Sequence, residues 1–152
     1  MMKVVDIINK KGSQIWSISS NETAYKALEI MAEKDIGALL IIDDGKLAGI
    51  FSERDYSRKV ILKGKSSRET TVGELMTSTV YSIYPGKSIE ECMGLMNATG
   101  CQHLPVIEDD KVIGVISLGD VVNAIISIQK IEIYDLKTYI SCGGYCSEWT
   151  AS

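Results

Sequence analysis

Histidine is nearly absent from this sequence: His103 is the only one in 152 residues. No recognisable motif sets it beside a nucleophile, and no cluster of ligand residues has metal-site spacing, which counts against hydrolytic and metal-dependent catalysis. Cysteine is sparse and irregularly placed. Cys92 and Cys101 flank a helical pattern, and Cys142 and Cys146 stand in Cys142-Gly143-Gly144-Tyr145-Cys146. No disulfide framework follows from this spacing, so free thiols are expected. The Cys142-x-x-x-Cys146 pair is a weak metal or redox signal, and it supports one alternative reading, a redox-linked interaction protein. Neither sign of charge dominates. Sixteen Lys and Arg stand against twenty Asp and Glu, a net charge of −4, which argues against general binding to nucleic acid or a membrane surface. No apolar run reaches the roughly 18 residues of a membrane span. The start, Met1-Met2-Lys3-Val4-Val5-Asp6, lacks the apolar core of a secretory signal. The expectation is a cytoplasmic chain with no membrane and no nucleic-acid partner.

What the sequence does have is a repeat. Shifted by 65 residues, Ile15–Ile61 lies on Val80–Ile126 without a gap. Identical pairs include Ser17/Ser82, Met31/Met96, Leu39/Leu104, Gly49/Gly114, Ser52/Ser117 and Asp55/Asp120. Such self-similarity sets the architecture and predicts that a ligand site comes in two related copies. Each copy opens on a short β-type run, Ile15–Ile18 or Val80–Ile83. A helix follows, with apolar residues at i, i+3, i+4 and i+7: Ala24, Ala27, Leu28 and Met31, then Ile89, Cys92, Met93 and Met96. Two strands joined by a turn come next, Asp43-Asp44-Gly45-Lys46 in one copy and Glu108-Asp109-Asp110-Lys111 in the other. A second helix starts after Ser52 or Ser117.

The unit is β-α-β-β-α, and the fold class is α+β with two such repeats packed as a pseudo-twofold pair. Repeat 1 with its lead-in takes residues 1–63, the polar stretch Gly64–Thr71 links the copies, and repeat 2 takes residues 72–130. Residues 131–152 form a C-terminal helical extension and a flexible tail. Val72-Gly73-Glu74-Leu75-Met76 is a helical lead-in to repeat 2, and Val4-Val5-Asp6-Ile7-Ile8 is its copy, three residues further from its strand.

Both copies carry Gly-x-x-Ser-x-x-Asp where the last strand becomes the last helix, at Gly49–Asp55 and Gly114–Asp120. The plain reading is a helix cap, since Ser-x-x-Asp resembles a capping box. The functional reading uses the same place. A helix start offers free N–H groups to an anion, while the Asp carboxylate accepts hydrogen bonds from ribose hydroxyls. Repeat 1 adds Arg54, Arg58 and Lys59, where repeat 2 has Gly119, Asn123 and Ala124. Arg54 and Arg58 lie one turn apart and suit a di- or triphosphate; the alternative is a solvated helix with Asp55 pairing Arg58. His103 enters a strand in Gln102-His103-Leu104-Pro105, either as a structural residue or beside a ligand. Pro105, read as a strand start, marks a local edge. The matched stretch Gly37-Ala38-Leu39-Leu40 is small enough to receive the face of an adenine.

With the doubled Gly-x-x-Ser-x-x-Asp, Val72–Met76 and His103-Leu104-Pro105-Val106, the chain resembles a tandem pair of cystathionine-β-synthase (CBS) domains, a Bateman module standing alone, over about residues 4–130. The resemblance implies a non-catalytic regulatory module that binds an adenine nucleotide, AMP, ADP, ATP or NAD(H), or S-adenosylmethionine, in clefts between the repeats. It implies ribose contacts at Asp55 and Asp120, contacts to ribose or phosphate at Ser52 and Ser117, and phosphate contacts at Arg54 and Arg58. It implies contact with the base along Ser13–Ile15 and Thr79–Val80, with His103 and Pro105 lining the second cleft. It further implies a homodimer acting on an effector protein. Two departures from the pattern stand out. No cation is expected beside Asp120, and the extra residues Lys10–Gly12 are expected to change the entrance to the first cleft.

Overall fold

The structure, a computed structural model, describes residues 1–12 and 14–142. The elements run α1 (Val4–Lys11), β1 (Ser17–Ile18), α2 (Ala24–Lys34), β2 (Ala38–Asp43), β3 (Lys46–Ser52), α3 (Glu53–Tyr56), α4 (Val72–Leu75), α5 (Ile89–Thr99), β4 (His103–Glu108), β5 (Lys111–Ser117) and α6 (Leu118–Cys142). A turn of π-helix, Ser57–Ile61, continues α3. The expected β-α-β-β-α order is present twice, with the first strand of repeat 2 reduced to a single bridge at Ile83.

The two long repeat helices begin at side-chain caps. Thr23 Oγ1 accepts from the Lys26 N–H (3.1 Å). Ser88 Oγ accepts from the Glu91 N–H (3.1 Å), and the Glu91 carboxylate accepts from the Ser88 N–H (2.9 Å). Both helices stop at a left-handed residue, Asp35 (φ 52°) and Gly100 (φ 72°). The hairpin β2–β3 is antiparallel, and so is β4–β5. Each turns through two residues of positive φ, Asp44 and Gly45 in the first, Asp109 and Asp110 in the second, the backbone that a tight two-residue hairpin demands. β1 adds parallel to β2, whereas its counterpart in repeat 2 is a single parallel bridge, Ile83 to Val106.

The lead-in helices cross over. Val72 and Leu75 of α4 are buried with Ile18, Ala27, Met31, Leu39 and Phe51, the core of repeat 1. Val4, Ile7 and Ile8 of α1 are buried with Ile83, Ile89, Met96, Leu104 and Ile116, the core of repeat 2. Backbone bonds repeat the exchange. The Val72 N–H donates to Glu22 O (2.8 Å), and the Val4 N–H donates to Lys87 O (2.9 Å). This crossing accounts for the paired glycines. A Cβ on Gly49 would lie 2.7 Å from Met76 Sδ and 2.8 Å from Thr77 O, and one on Gly114 would lie 2.8 Å from Ile8 Cδ1. The arriving chain occupies the space that a side chain would need.

Leu39 and Ile41 face the helical core of repeat 1, so strand alternation turns Leu40 to the opposite face. Leu40 and its counterpart Pro105 are both buried, as the inner faces of two apposed sheets are. Pro105 is therefore neither a strand start nor an open edge. It sits inside β4, opposite Val115, and its carbonyl accepts from the Ile83 N–H (3.0 Å).

Candidate functional site: two clefts between the repeats

The first cleft has a volume of about 380 Å³, within the range of small-ligand sites. One wall is the β3–α3 junction with Ser52, Arg54, Asp55, Arg58 and Lys59. The other walls come from the approach to repeat 2 (Thr77, Thr79, Val80, Tyr81) and from the α5–β4 turn, Thr99 to His103. The Ser-x-x-Asp cap forms: Ser52 Oγ accepts from the Asp55 N–H (3.2 Å), and Asp55 Oδ2 accepts from the Ser52 N–H (3.0 Å) and hydroxyl (3.1 Å). Asp55 Oδ1 faces the Lys59 ammonium at 3.2 Å and the Thr77 hydroxyl at 3.4 Å. The cap and the ligand reading are thus compatible, because one carboxylate oxygen closes the helix start and the other faces polar donors in the cleft.

The cations are arranged differently from the expected alternative. Asp55 pairs Lys59, one turn on, and not Arg58. Lys59 also donates to Leu75 O (2.9 Å), which ties α4 to the cleft. Arg54 Nη1 donates to Gly100 O (3.3 Å), across the repeat boundary. Arg58 lines the cleft and forms no ion pair among the described residues.

The second cleft, about 340 Å³, is the pseudo-symmetric counterpart. It is walled by Lys11, Gly12, Gln14 and Trp16, by Asp35 to Ala38, and by His103, Val115, Ser117 and Asp120. Two expectations are corrected here. Asp120 does have a cation: Lys11 Nζ lies 2.8 Å from its Oδ2 and donates also to Val115 O (3.0 Å). The extra residues Lys10–Gly12 do not shape the first cleft. Lys10 and Lys11 extend α1, Gly12 ends it, and Lys11 reaches the second. Because α1 crosses to repeat 2, a cation that repeat 1 carries in sequence serves repeat 2 in space. Burial raises the carboxyl pKa of Asp120, but the Lys11 bond and the Ser117 N–H outweigh it and hold the group below the usual carboxylate range.

His103 touches both clefts. Its ring stands over Gly37, where a Cβ would lie 3.3 Å from Nε2. Burial pushes its pKa down, the Lys11 ammonium adds to this, and Asp120 and Glu53 oppose it. The ring is held toward its neutral form on the wall that the two clefts share.

Of the residues singled out in the sequence, Ser52, Arg54, Asp55, Arg58, Thr79, Val80 and His103 meet at the first cleft, and Ala38, Ser117, Asp120 and again His103 at the second. Ile15 and Pro105 wall neither, and Ser13 lies outside the described residues. Sequence reasoning missed Lys11, Thr77, Tyr81 and Trp16. The aromatic pair carried a signal, since Trp16 and Tyr81 match in the repeat. The Lys34 ammonium stacks on the Trp16 ring, 4.4 Å from its centroid. Among the described residues, no group of three metal-ligating side chains is present, and no helix is long and apolar enough to cross a membrane.

Two β-α-β-β-α units, each completed by the other's lead-in helix and enclosing paired clefts, define a tandem CBS pair. The chain matches the CBS domain over residues 4–61 and 72–127, and it belongs to that family. It is 37% identical to the mitochondrial CBS domain-containing protein CBSX3 of Arabidopsis thaliana, over 93% of this chain and 73% of that one. Among solved structures it resembles a signal-transduction protein with CBS domains from Burkholderia ambifaria, with 43% identity, a TM-score of 0.80, and coverage of 83% of this chain and 95% of that one. It also resembles the CBS domain pair of protein MJ0100, solved in complex with 5′-methylthioadenosine and S-adenosyl-L-methionine. There the identity is 25%, the TM-score 0.73, and the coverage 82% and 99%.

Proposed function

We propose that this CBS pair is a non-catalytic regulatory module that binds an adenine nucleotide between its repeats and passes occupancy to an effector protein, working as a homodimer. The observation that carries the reading is the first cleft. It combines a carboxylate suited to ribose hydroxyls, Asp55, with three cations, Arg54, Arg58 and Lys59, within one enclosure. The carboxylate would repel a bare phosphate, and the cations gain little from an uncharged nucleoside, so a ligand with both a ribose and phosphates satisfies the whole set. AMP, ADP, ATP and NAD(H) have that composition. The adenosine-containing ligands of the MJ0100 pair support the nucleoside half of the assignment. In the second cleft Lys11 and the Ser117 cap share Asp120 Oδ2, which leaves Oδ1 to accept a ribose hydroxyl and Lys11 beside it to meet a ligand phosphate.

Thermal unfolding in the presence of AMP, ADP, ATP, NADH, S-adenosylmethionine and methylthioadenosine tests this. A ligand at a hundred times its Kd stabilises a single-site protein by about 2.7 kcal/mol, a shift of several degrees. A rise with a phosphate-bearing nucleotide that exceeds the rise with methylthioadenosine is expected. Unchanged melting with every compound defeats the proposal.

A further inference from the structure

The C-terminal helix α6 runs 25 residues, Leu118–Cys142, and only its first part serves its own repeat. Val121 is in the repeat 2 core, and Leu118, Ala124 and Ile125 pack against it. From Gln129 to Ile140 every residue is exposed. That stretch projects about 18 Å at 1.5 Å per residue. An unsupported helix of this length is marginal in water, so the stretch needs a neighbour to be a stable helix.

Ile131, Tyr134 and Tyr139 are exposed elsewhere around the helix, and the remaining apolar residues form one seam that names the neighbour. Val122, Ile126, Gln129, Ile133, Leu136 and Ile140 follow one another at spacings of 4, 3, 4, 3 and 4. The apolar members of this series are all exposed, between 39% and 60%. A seam of period 3.5 fits another helix and not a flat surface. In heptad terms the isoleucines at 126, 133 and 140 take position a, and Val122, Gln129 and Leu136 take position d. Isoleucine at a with leucine at d, met at Ile133 and Leu136, favours two parallel strands, and the one polar residue at d, Gln129, finds a hydrogen-bonding partner in the seam only opposite its own copy, which fixes register. The flanking charges agree. Glu132 at g faces Lys137 at e of the next heptad in a parallel copy, whereas an antiparallel arrangement would oppose Lys130 and Lys137, both at e.

We propose that the projecting part of α6 is a parallel, two-stranded coiled coil with a second copy of this chain, held in register by Gln129 and in orientation by Glu132 and Lys137. This junction is separate from the nucleotide clefts, and it holds or fails without them.

Hydrogen exchange of residues 129–140 in the full chain, followed as protein concentration rises, reads the helix pairing directly. Protection that grows with concentration is expected, along with a dimer in sedimentation. The double variant Ile133→Asp/Leu136→Asp should lose that protection and dissociate roughly tenfold or more readily, while strands β2–β5 keep theirs. Glu132→Lys alone should weaken the pairing, and Glu132→Lys with Lys137→Glu should restore it. Several results would overturn the proposal: fast exchange at every concentration, protection gained only with added anionic vesicles, protection that survives the double aspartate variant, or a charge reversal that fails to rescue.

Discussion

Asp55 has two oxygens with two jobs, and its replacement separates them. Asp55→Ala removes the acceptor for ribose hydroxyls, and charge-assisted bonds of that kind are worth about 1.5–3 kcal/mol. Nucleotide affinity by calorimetry should therefore fall about 10- to 100-fold, with a smaller loss of stability from the broken cap. Arg58→Ala should leave the cap intact and weaken ATP more than adenosine; equal weakening of both would remove Arg58 from phosphate recognition. His103 sets a pH dependence. Burial and Lys11 depress its pKa below the ordinary 6.5, so the unfolded chain binds its proton first. The stability contributed by the neutral ring is whole above pH 6.5 and is lost as pH falls through the folded-state value. Urea midpoints measured downward from pH 7 should decline, and His103→Gln should flatten that decline. At this scale the sequence was legible where the copies agree. Ser52/Asp55 and Ser117/Asp120 are identical pairs, and both form caps at cleft walls. Lys11 was illegible because its partner is 109 positions away, and no local spacing encodes a crossing helix.

At the level of elements, the two glycines of Gly-x-x-Ser-x-x-Asp answer to different neighbours and should tolerate alanine differently. At Gly49 the new methyl meets the carbonyl of Thr77, whose backbone is paired with Ile50 in both directions (2.9 and 3.1 Å). At Gly114 it meets the free end of Ile8, which can turn aside. Urea unfolding should show a loss of about 1–3 kcal/mol for Gly49→Ala and a smaller one for Gly114→Ala. An equal loss would mean that the lead-in chains are not what the glycines admit. Helices α2 and α5 and both hairpins were readable from apolar period and turn residues, since those signals are local. Pro105 misled the reading. Proline usually marks an edge, but here the missing N–H falls within β4, while the residue's carbonyl still bonds Ile83.

For the whole molecule, the two clefts differ in how their positive charge is supplied. The first draws on its own repeat, through Arg54, Arg58 and Lys59; the second borrows Lys11 from the opposite end of the pair. Lys11→Ala should leave binding at the first cleft unchanged and alter the second, so a two-site calorimetric titration should lose or shift one binding event only. The crossed lead-in helices have a further consequence. Residues 64–70 join the repeats, yet α1 is anchored in the repeat that follows this linker and α4 in the repeat that precedes it. If a protease cut the linker, each half would still grip the other by an arm. By the same geometry a single repeat on its own would leave its core uncovered where the other repeat's arm packs, unless it traded arms with a second copy. The pair reads as such a handshake made permanent by joining the two partners end to end.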